Sequence, residues 1–467
     1  MSRGRLVVHG HFYQPERRDP FSGRIAPARA AAPFHDWNER VDADCYRPVA
    51  ERGDFGRISF DLGPTLAAWL GEHDPATLAR IAADGADAMA QPYHHAILPL
   101  ASLRDRRTEI RWGIRDFAAR FGRPPRGLWL PEAGMDLPSL RLAAAEGIRY
   151  TILAPWQAAD PEIDTRRPYR VDLGGGRTMV VAFYDRLLSA AVSFQDEVTV
   201  DADRFARDWV APRAEGPLPL GVADPLVLIA TDGELYGHHK PFRDLFLHRL
   251  VADDAAGPDR GFDVVALHDV VEEGPREAFP VARLREGTSW SCHHGVLRWH
   301  AECPCVIDGR WKRPLRAALD RLAGGVDAVS KDLLRGAGTD PQVLWEARDR
   351  YVDVVAGRED PEAFAGAALR SRSRTRRDLL VRLLDAQRWR MAMFASDGWY
   401  WDDPAREETR HVLRCAAKAV RAIDAAAGTR IEHELLDDLS LLSSPARHID
   451  GAAIYREALG EVGQPLP

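Results

Sequence analysis

The chain has 467 residues, 45% hydrophobic and 28% charged, with a formal net charge of −7. That length is ample for a barrel-sized domain plus a second unit. The acidic balance, with a pI near 6.2, argues against a nucleic-acid surface. No apolar run approaches the ~20 residues a membrane span needs. Five cysteines form no even framework, and MSRGRLVVHG has no leader pattern, so a reducing cytoplasm is the expected compartment. Arginine outnumbers lysine 59 to 4, but the arginines are scattered, which reads as coding bias rather than anion binding.

Up to residue 270, short apolar strands alternate with helical stretches, as in parallel sheets buried on both faces. The first strand, Leu6–Val8, runs into HGHFYQP (9–15). Ile58–Leu62 follows and carries Asp61. Ala88–Gln91 runs into QPYHHAILP, with His94 and His95. Residues 105–121 place Ile110, Ile114, Phe117 and Phe121 on one helical face and stop at Gly122. Gly127–Leu130 leads to Pro131 and Glu132, and Asp136 is placed to cap a helix reaching Gly147. Tyr150–Leu153 precedes Trp156 and Gln157. YRVDLGGGRTMVVAFY reads as a hairpin with a glycine turn, its second arm Met179–Phe183 ending before Asp185. Leu226–Ala230 leads to Asp232 and Glu234.

Chemically capable side chains follow nearly every strand, which fits a parallel barrel working at its C-terminal rim. An open sheet would gather them at one switch point. The expected fold is therefore α/β: a (β/α)7 barrel over residues 1–310. After it the segments 312–335, 374–394 and 404–426 are rich in Leu, Ala and Arg at helical spacing, predicting a helical domain over 311–467.

Two acids at two strand ends suit chemistry on a glycosidic bond, one as nucleophile and one as acid/base. Glu132, after Trp129-Leu130-Pro131, is the candidate nucleophile. An isolated Glu after a strand also serves simply to start a helix. Asp232 is its candidate partner, followed by Gly233, which allows close backbone approach to a ligand. Glu234 competes with it, since alternate residues of a strand face one way, and neighbouring acids push one pKa upward.

Other motifs stay open. His9-Gly10-His11 reads as a metal pair, as sugar-binding imidazoles, or as plain loop histidines; Gln14 and Trp37 favour sugar. TSWSCHHGVLRWHAECPC (288–305) gathers Cys292, His293, His294, His300, Cys303 and Cys305. Zinc is one reading, though Cys-Pro-Cys is tighter than the usual spacing. The preferred reading is a loop over the barrel mouth, with Trp290, His294 and Trp299 touching substrate. In SDGWYWDD (396–403), Trp399 and Trp401 suit sugar stacking or packing against the barrel. No P-loop, no GxGxxG after the first strand and no GxSxG elbow is present in the sequence.

These motifs resemble the conserved regions of glycoside hydrolase family 57. HGHFYQP resembles the first, usually His-x-His-Gln-Pro, with Tyr13 standing where the second His is usual. QPYHHAILP resembles the second, GLWLPEAGMD the third and LIATDGELYGHH the fourth; FASDGWYWDD is the best match to the fifth. The wording is closest to an uncharacterised branch, covering roughly residues 5–310 well and 375–405 in part.

The resemblance implies a distorted seven-stranded barrel followed by helices. It also implies retaining chemistry on α-glucans, as hydrolase, 4-α-glucanotransferase or branching enzyme, with no cofactor and no metal in the mechanism. The nucleophile maps onto Glu132 and the acid/base onto Asp232. His11, His94 and His95 would hold hydroxyls of the sugar being cleaved, and Glu234 would tune Asp232. Gln14, Trp129, His238, Trp290, His294, Asp397 and Trp399 complete the expected substrate-binding set. The partner is an oligo- or polysaccharide, with neither nucleic acid nor membrane; the oligomeric state stays open. Two rivals remain: a metal-dependent carbohydrate hydrolase or deacetylase using His9, His11 and Asp232, and a non-catalytic carbohydrate-binding barrel.

Overall fold

The computed structural model describes residues 3–215, 224–252 and 261–460. The chain divides into two compact units. The first comprises Met1–Gln14, Pro27–Gln91 and Phe117–Trp290; the second comprises Pro15–Ala26, Pro92–Asp116 and Ser291–Pro467.

The first unit is mixed α/β. In chain order its strands are β1 (Gly4–Phe12), β2 (Ser59–Leu62), β3 (Ala88–Met89), β4 (Tyr150–Leu153), β5 (Tyr169–Gly174), β6 (Arg177–Phe183), β7 (Leu226–Asp232) and β8 (Phe262–Val264). A parallel sheet runs β3-β2-β1-β7, with β8 beside the start of β1. A second sheet pairs β4 with β6 in parallel and β6 with β5 as an antiparallel hairpin. That hairpin turns on Gly174, Gly175 and Gly176, all at positive φ, where glycine alone is unstrained.

The strands are near-continuous apolar runs because both faces are covered. Val7, Met89, Trp129, Ile152, Val180 and Leu228 share one core. Two expectations change. Gly127–Leu130 is not a full strand; it makes single parallel bridges, Ala90 to Leu128 and Gly127 to Tyr150. A Cβ on Gly127 would lie 2.6 Å from the Tyr150 ring, so this crossing needs glycine. β8 went unread because three residues, Phe-Asp-Val, carry too little pattern.

The second unit is helical, as expected. Its long helices are Lys312–Gly336, Arg374–Ala392 and Glu407–Ala427. Leu319, Val326, Leu383, Leu384, Val420 and Ile423 fill the core between them. The arginines here are not all a matter of composition. Arg348 and Arg390, both buried, pair with Asp105 at 2.9 and 2.8 Å, and Arg390 also reaches Asp327 at 3.1 Å. Gln387 bridges Arg348 and Asp327. Among the described residues no helix is long and apolar enough to cross a membrane.

Candidate active site

β1 runs between β2 and β7, and its register sets one row of side chains. His11 lies opposite Asp61 of β2 and opposite Asp232 of β7. Parallel strands in register carry these three side chains to the same C-terminal edge of the sheet. Asp61 is the centre of a buried cluster. It meets His11 Nδ1 at 2.8 Å and His9 Nε2 at 3.1 Å, and it accepts from Gln91 Nε2 at 2.6 Å. His9 Nδ1 is 3.0 Å from Ser59 Oγ. Both nitrogens of His9 are thus engaged with protein groups, which leaves neither for the metal pair considered from sequence.

The charges follow from this packing. Burial works against a charged His11, but Asp61, then Asp232 and Glu234, outweigh it and push the imidazole up to about 9. Burial would raise Asp61, yet the charge and hydrogen bonds of His11 and His9 hold it below the usual carboxylate range. Near neutral pH the cluster is an imidazolium facing several acids.

Glu234 does not sit on β7. The strand ends at Asp232, and Gly233–Leu235 forms a one-turn helix, so the alternation expected along the strand does not extend to it. Glu234 is buried and accepts from Tyr46 Oη at 2.6 Å and from the Tyr13 amide at 3.1 Å. Burial, with Asp232 adding to it, pushes its carboxyl up to about 7. Asp232 itself is exposed. Gly233 is needed for packing: a Cβ there would lie 2.3 Å from the Phe12 ring.

Glu132 is not a helix-starting acid. It sits in the turn Pro131–Ala133 with φ 57° and ψ 22°, and Ala133 follows at φ 46°. Left-handed conformations cost non-glycine residues about 1–3 kcal/mol each and persist only where surroundings enforce them. The enforcement is visible. The Trp290 amide donates to the Glu132 carbonyl at 3.0 Å, and Met135 and Thr288 bond at 3.1 Å. Gln157 Nε2 donates to the Ala133 carbonyl at 2.8 Å. Trp290 Nε1 also donates to Glu132 Oε2 at 3.3 Å. Asp136 is the helix cap expected, accepting from the Ser139 amide; its helix runs Leu137–Ala145, short of Gly147.

Aromatic rings join the two acidic edges. Trp129 stacks on His9 and His11 at 4.9 and 5.2 Å. Trp290 meets Trp129 edge-on at 4.8 Å and His11 at 6.0 Å. Sequence reasoning counted Asp61 among the chemically capable residues at the strand ends without giving it a part in the site, and gave Tyr46 and Gln91 none. Asp61 was visible as an acid in the strand FDLGP; Tyr46 lies in a helical stretch with no motif around it.

The other expected residues fall as follows. Gln14 accepts from Thr65 through its carbonyl at 2.6 Å. His238 Nδ1 is 3.1 Å from Asp44, with Trp37 edge-on at 5.9 Å. His94, His95, His294, Asp397 and Trp399 belong to the second unit. There His94 is held by Glu109 at 2.7 Å and His95 by Ser396 at 2.7 Å. Asp397 opens the short helix Asp397–Tyr400. Trp399 is 1% exposed and stacks on Trp311, so it occupies a core position rather than the open sugar platform expected. A cavity of about 270 Å³ in this unit is lined by Ile97, Ser102, Asp105, Glu109 and Arg390 among others.

The class defined by this fold is that of a mixed α/β protein with acids gathered at the C-terminal edge of a parallel sheet. Residues 82–270 match the model of glycosyl hydrolase family 57, so the resemblance carried by the motifs is borne out over that region. Residues 308–461 match a domain of unknown function, DUF3536. No curated protein matches the chain. Among solved structures, an exo-type maltose-forming amylase from a Pyrococcus species is similar with a TM-score of 0.74 at 16% identity, covering 97% of this chain and 88% of that one. A family 57 branching enzyme from Thermococcus kodakaraensis gives 0.61 at 16% identity, covering 97% and 96%. An α-amylase from Thermotoga maritima gives 0.60 at 13% identity, covering 97% and 98%. At these identities the likeness is one of fold.

Proposed function

We propose that the protein is a retaining glycosidase or transglycosidase acting on α-glucan-type oligo- or polysaccharides. The observation that carries this reading is the enforced left-handed turn at Glu132, which presents a carboxylate to the Nε1 of Trp290 beside the His11–Trp129 stack. The structural relatives, an amylase, a branching enzyme and a 4-α-glucanotransferase, support the substrate class.

In this reading a carboxylate oxygen of Glu132 attacks the anomeric carbon. The bond to the leaving oxygen breaks, and that oxygen takes the proton of Asp232. Asp232 then removes a proton from water or an acceptor hydroxyl, whose oxygen displaces Glu132 and restores the carboxylate. Cationic His11 donates to a ring hydroxyl, and Glu234 lies beside Asp232 to orient it. Gln91 Oε1 and Trp129 Nε1 are buried with no hydrogen-bond partner among the described residues. Buried unpaired polar atoms suit a hydroxyl-rich ligand.

The first unit is read here as a distorted seven-membered barrel. Supporting it, β1, β2 and β3 pair in turn, and the bridges at Leu128 and Gly127 lead on to β4 and β6. The Asp185 amide after β6 donates to the Leu228 carbonyl of β7 at 2.7 Å, and β7 pairs with β1.

Incubation with maltooligosaccharides and with amylose tests the proposal. Shorter products mean hydrolysis; longer or newly branched ones mean transfer. No reaction with either substrate would sink the α-glucan reading.

A further inference from the structure

We propose that Cys292, His294, Cys303 and Cys305 form a structural zinc site in the second unit. The sequence argued against it on spacing, because Cys303-Pro304-Cys305 is tighter than the usual two to four intervening residues. Folding removes that objection. Two pairs of donors, each separated by one residue, come together from the two ends of one loop.

Four of the six donor-to-donor distances are close to the edges of a zinc tetrahedron. Cys292 Sγ lies 3.5 Å from Cys303 Sγ and 3.7 Å from Cys305 Sγ. His294 Nδ1 lies 3.2 Å from Cys305 Sγ and 3.5 Å from Cys303 Sγ. All four donor atoms fall within 4.8 Å of one another. Zinc bonds of about 2.3 Å to sulfur and 2.05 Å to nitrogen imply edges of about 3.8 Å between sulfurs and 3.6 Å between nitrogen and sulfur. Thiols are weak hydrogen-bond partners, so their mutual attraction gives little reason for such a gathering. Among the described residues this is the only group of three or more His, Cys, Asp or Glu placed to hold one ion.

The surrounding charge points the same way. Three thiolates and one divalent ion carry a net charge of −1. Lys312 is fully buried, and its Nζ has no hydrogen-bond partner among the described residues. Its charge faces Cys303, Asp402 and Cys292 as well as Arg298. Arg298 in turn donates to the Cys305 carbonyl at 3.4 Å and faces Cys292. A buried ammonium is costly unless anionic groups face it. An anionic metal–thiolate cluster adds to the charge that Asp402 supplies.

The donor set selects the ion and the role. Thiolates with one imidazole in tetrahedral array suit zinc over hard cations. Four protein ligands close the coordination shell, which marks a structural site rather than a catalytic one. Cys292 and Cys303 are buried in the helical core, while His294 and Cys305 are exposed. The loop they tie has one short helical turn, Leu297–Trp299, before the helix at Lys312. Its backbone hydrogen bonds are short-range turns, such as Gly295 to Cys292 and Val306 to Cys303, and a metal would tie its two ends together. His294 accordingly moves from the substrate-binding set to the metal.

The test is elemental analysis of the full chain, purified untagged under reducing conditions without added metal. The expected result is about one zinc per chain in the wild type and in Asp61→Asn, and none in Cys303→Ser/Cys305→Ser. Should the double variant fail to fold, cobalt exchanged into the wild type decides instead: tetrahedral thiolate ligation gives intense visible bands and sulfur-to-cobalt charge transfer. The proposal is overturned by wild type free of zinc, by zinc lost in Asp61→Asn but kept in the double variant, or by cobalt spectra of six-coordinate oxygen ligation.

Discussion

His11 Nδ1 lies 2.8 Å from Asp61 Oδ2, both side chains buried at the C-terminal edge of the parallel sheet. The pair fixes the ring orientation, with Trp129 stacked on the imidazole and Asp232 and Glu234 adding negative charge around it. It also makes the protein's stability depend on pH in a definite direction. The folded-state pKa of His11, about 9, lies above its unfolded value of 6.5. The stabilisation is therefore fully present below pH 6.5 and is lost as pH rises through 9. Glu234, raised to about 7, adds a decline of the same sign above its ordinary range. Melting temperatures measured from pH 6 to 9.5 should fall, with His11 accounting for on the order of 3 kcal/mol. His11→Gln should flatten the upper part of the curve. A wild-type profile that stays level would refute the ion pair.

Replacing the two acids should separate their roles. Glu132→Ala should reduce turnover by about 10³-fold or more, since no carboxylate remains to form the covalent intermediate. Azide should restore reaction with an activated α-glycoside and yield the inverted glycosyl azide. Asp232→Ala should retain attack on activated leaving groups while losing natural substrates, with azide giving the retained product. If the two stereochemical outcomes were exchanged, the roles assigned to Glu132 and Asp232 would be reversed.

Tyr46 donates to Glu234 at 2.6 Å and so stabilises its charged form. Tyr46→Phe removes that donor, and the Glu234 carboxyl should then hold its proton to higher pH. In a profile of kcat/KM against pH, the limb near 7 should move toward the alkaline side. A limb that stays in place would mean that another group titrates there.

In the helical unit, Asp105 is the counter-charge to buried Arg348 and Arg390. Burial alone would raise its carboxyl, but the two guanidinium groups hold it at about 2. Asp105→Ala leaves two buried cations short of an anion and should cost about 3–5 kcal/mol. Chemical denaturation followed by circular dichroism measures this. A loss below about 1 kcal/mol would show that the network is not a stabilising element.

Much of this molecule is legible in its sequence, for reasons of periodicity. Continuous apolar runs such as LVLIAT mark buried parallel strands, and helical spacing marks the 312–336, 374–392 and 407–427 helices. Glu132, Asp232 and the histidines were picked out because they follow such runs. The strand expected at Gly127–Leu130 failed because its pairing is limited to two bridges, a matter of how neighbouring strands cross. Tyr46 escaped notice because it meets Glu234 from 188 positions away.

What the sequence by itself determined is the order of elements and the set of chemically able residues. Local spacing encodes both. Which of those residues lie together was decided only by tertiary structure. Strand register brought His11 level with Asp61 and Asp232, the turn at Glu132 took a strained conformation no propensity predicts, and Trp399 went into the core. The same holds for Cys292, His294, Cys303 and Cys305, whose spacing looked wrong along the chain and whose distances suit one ion in space. Charge and coordination depend on separations of a few ångströms, and only the folded chain fixes those between residues distant in sequence.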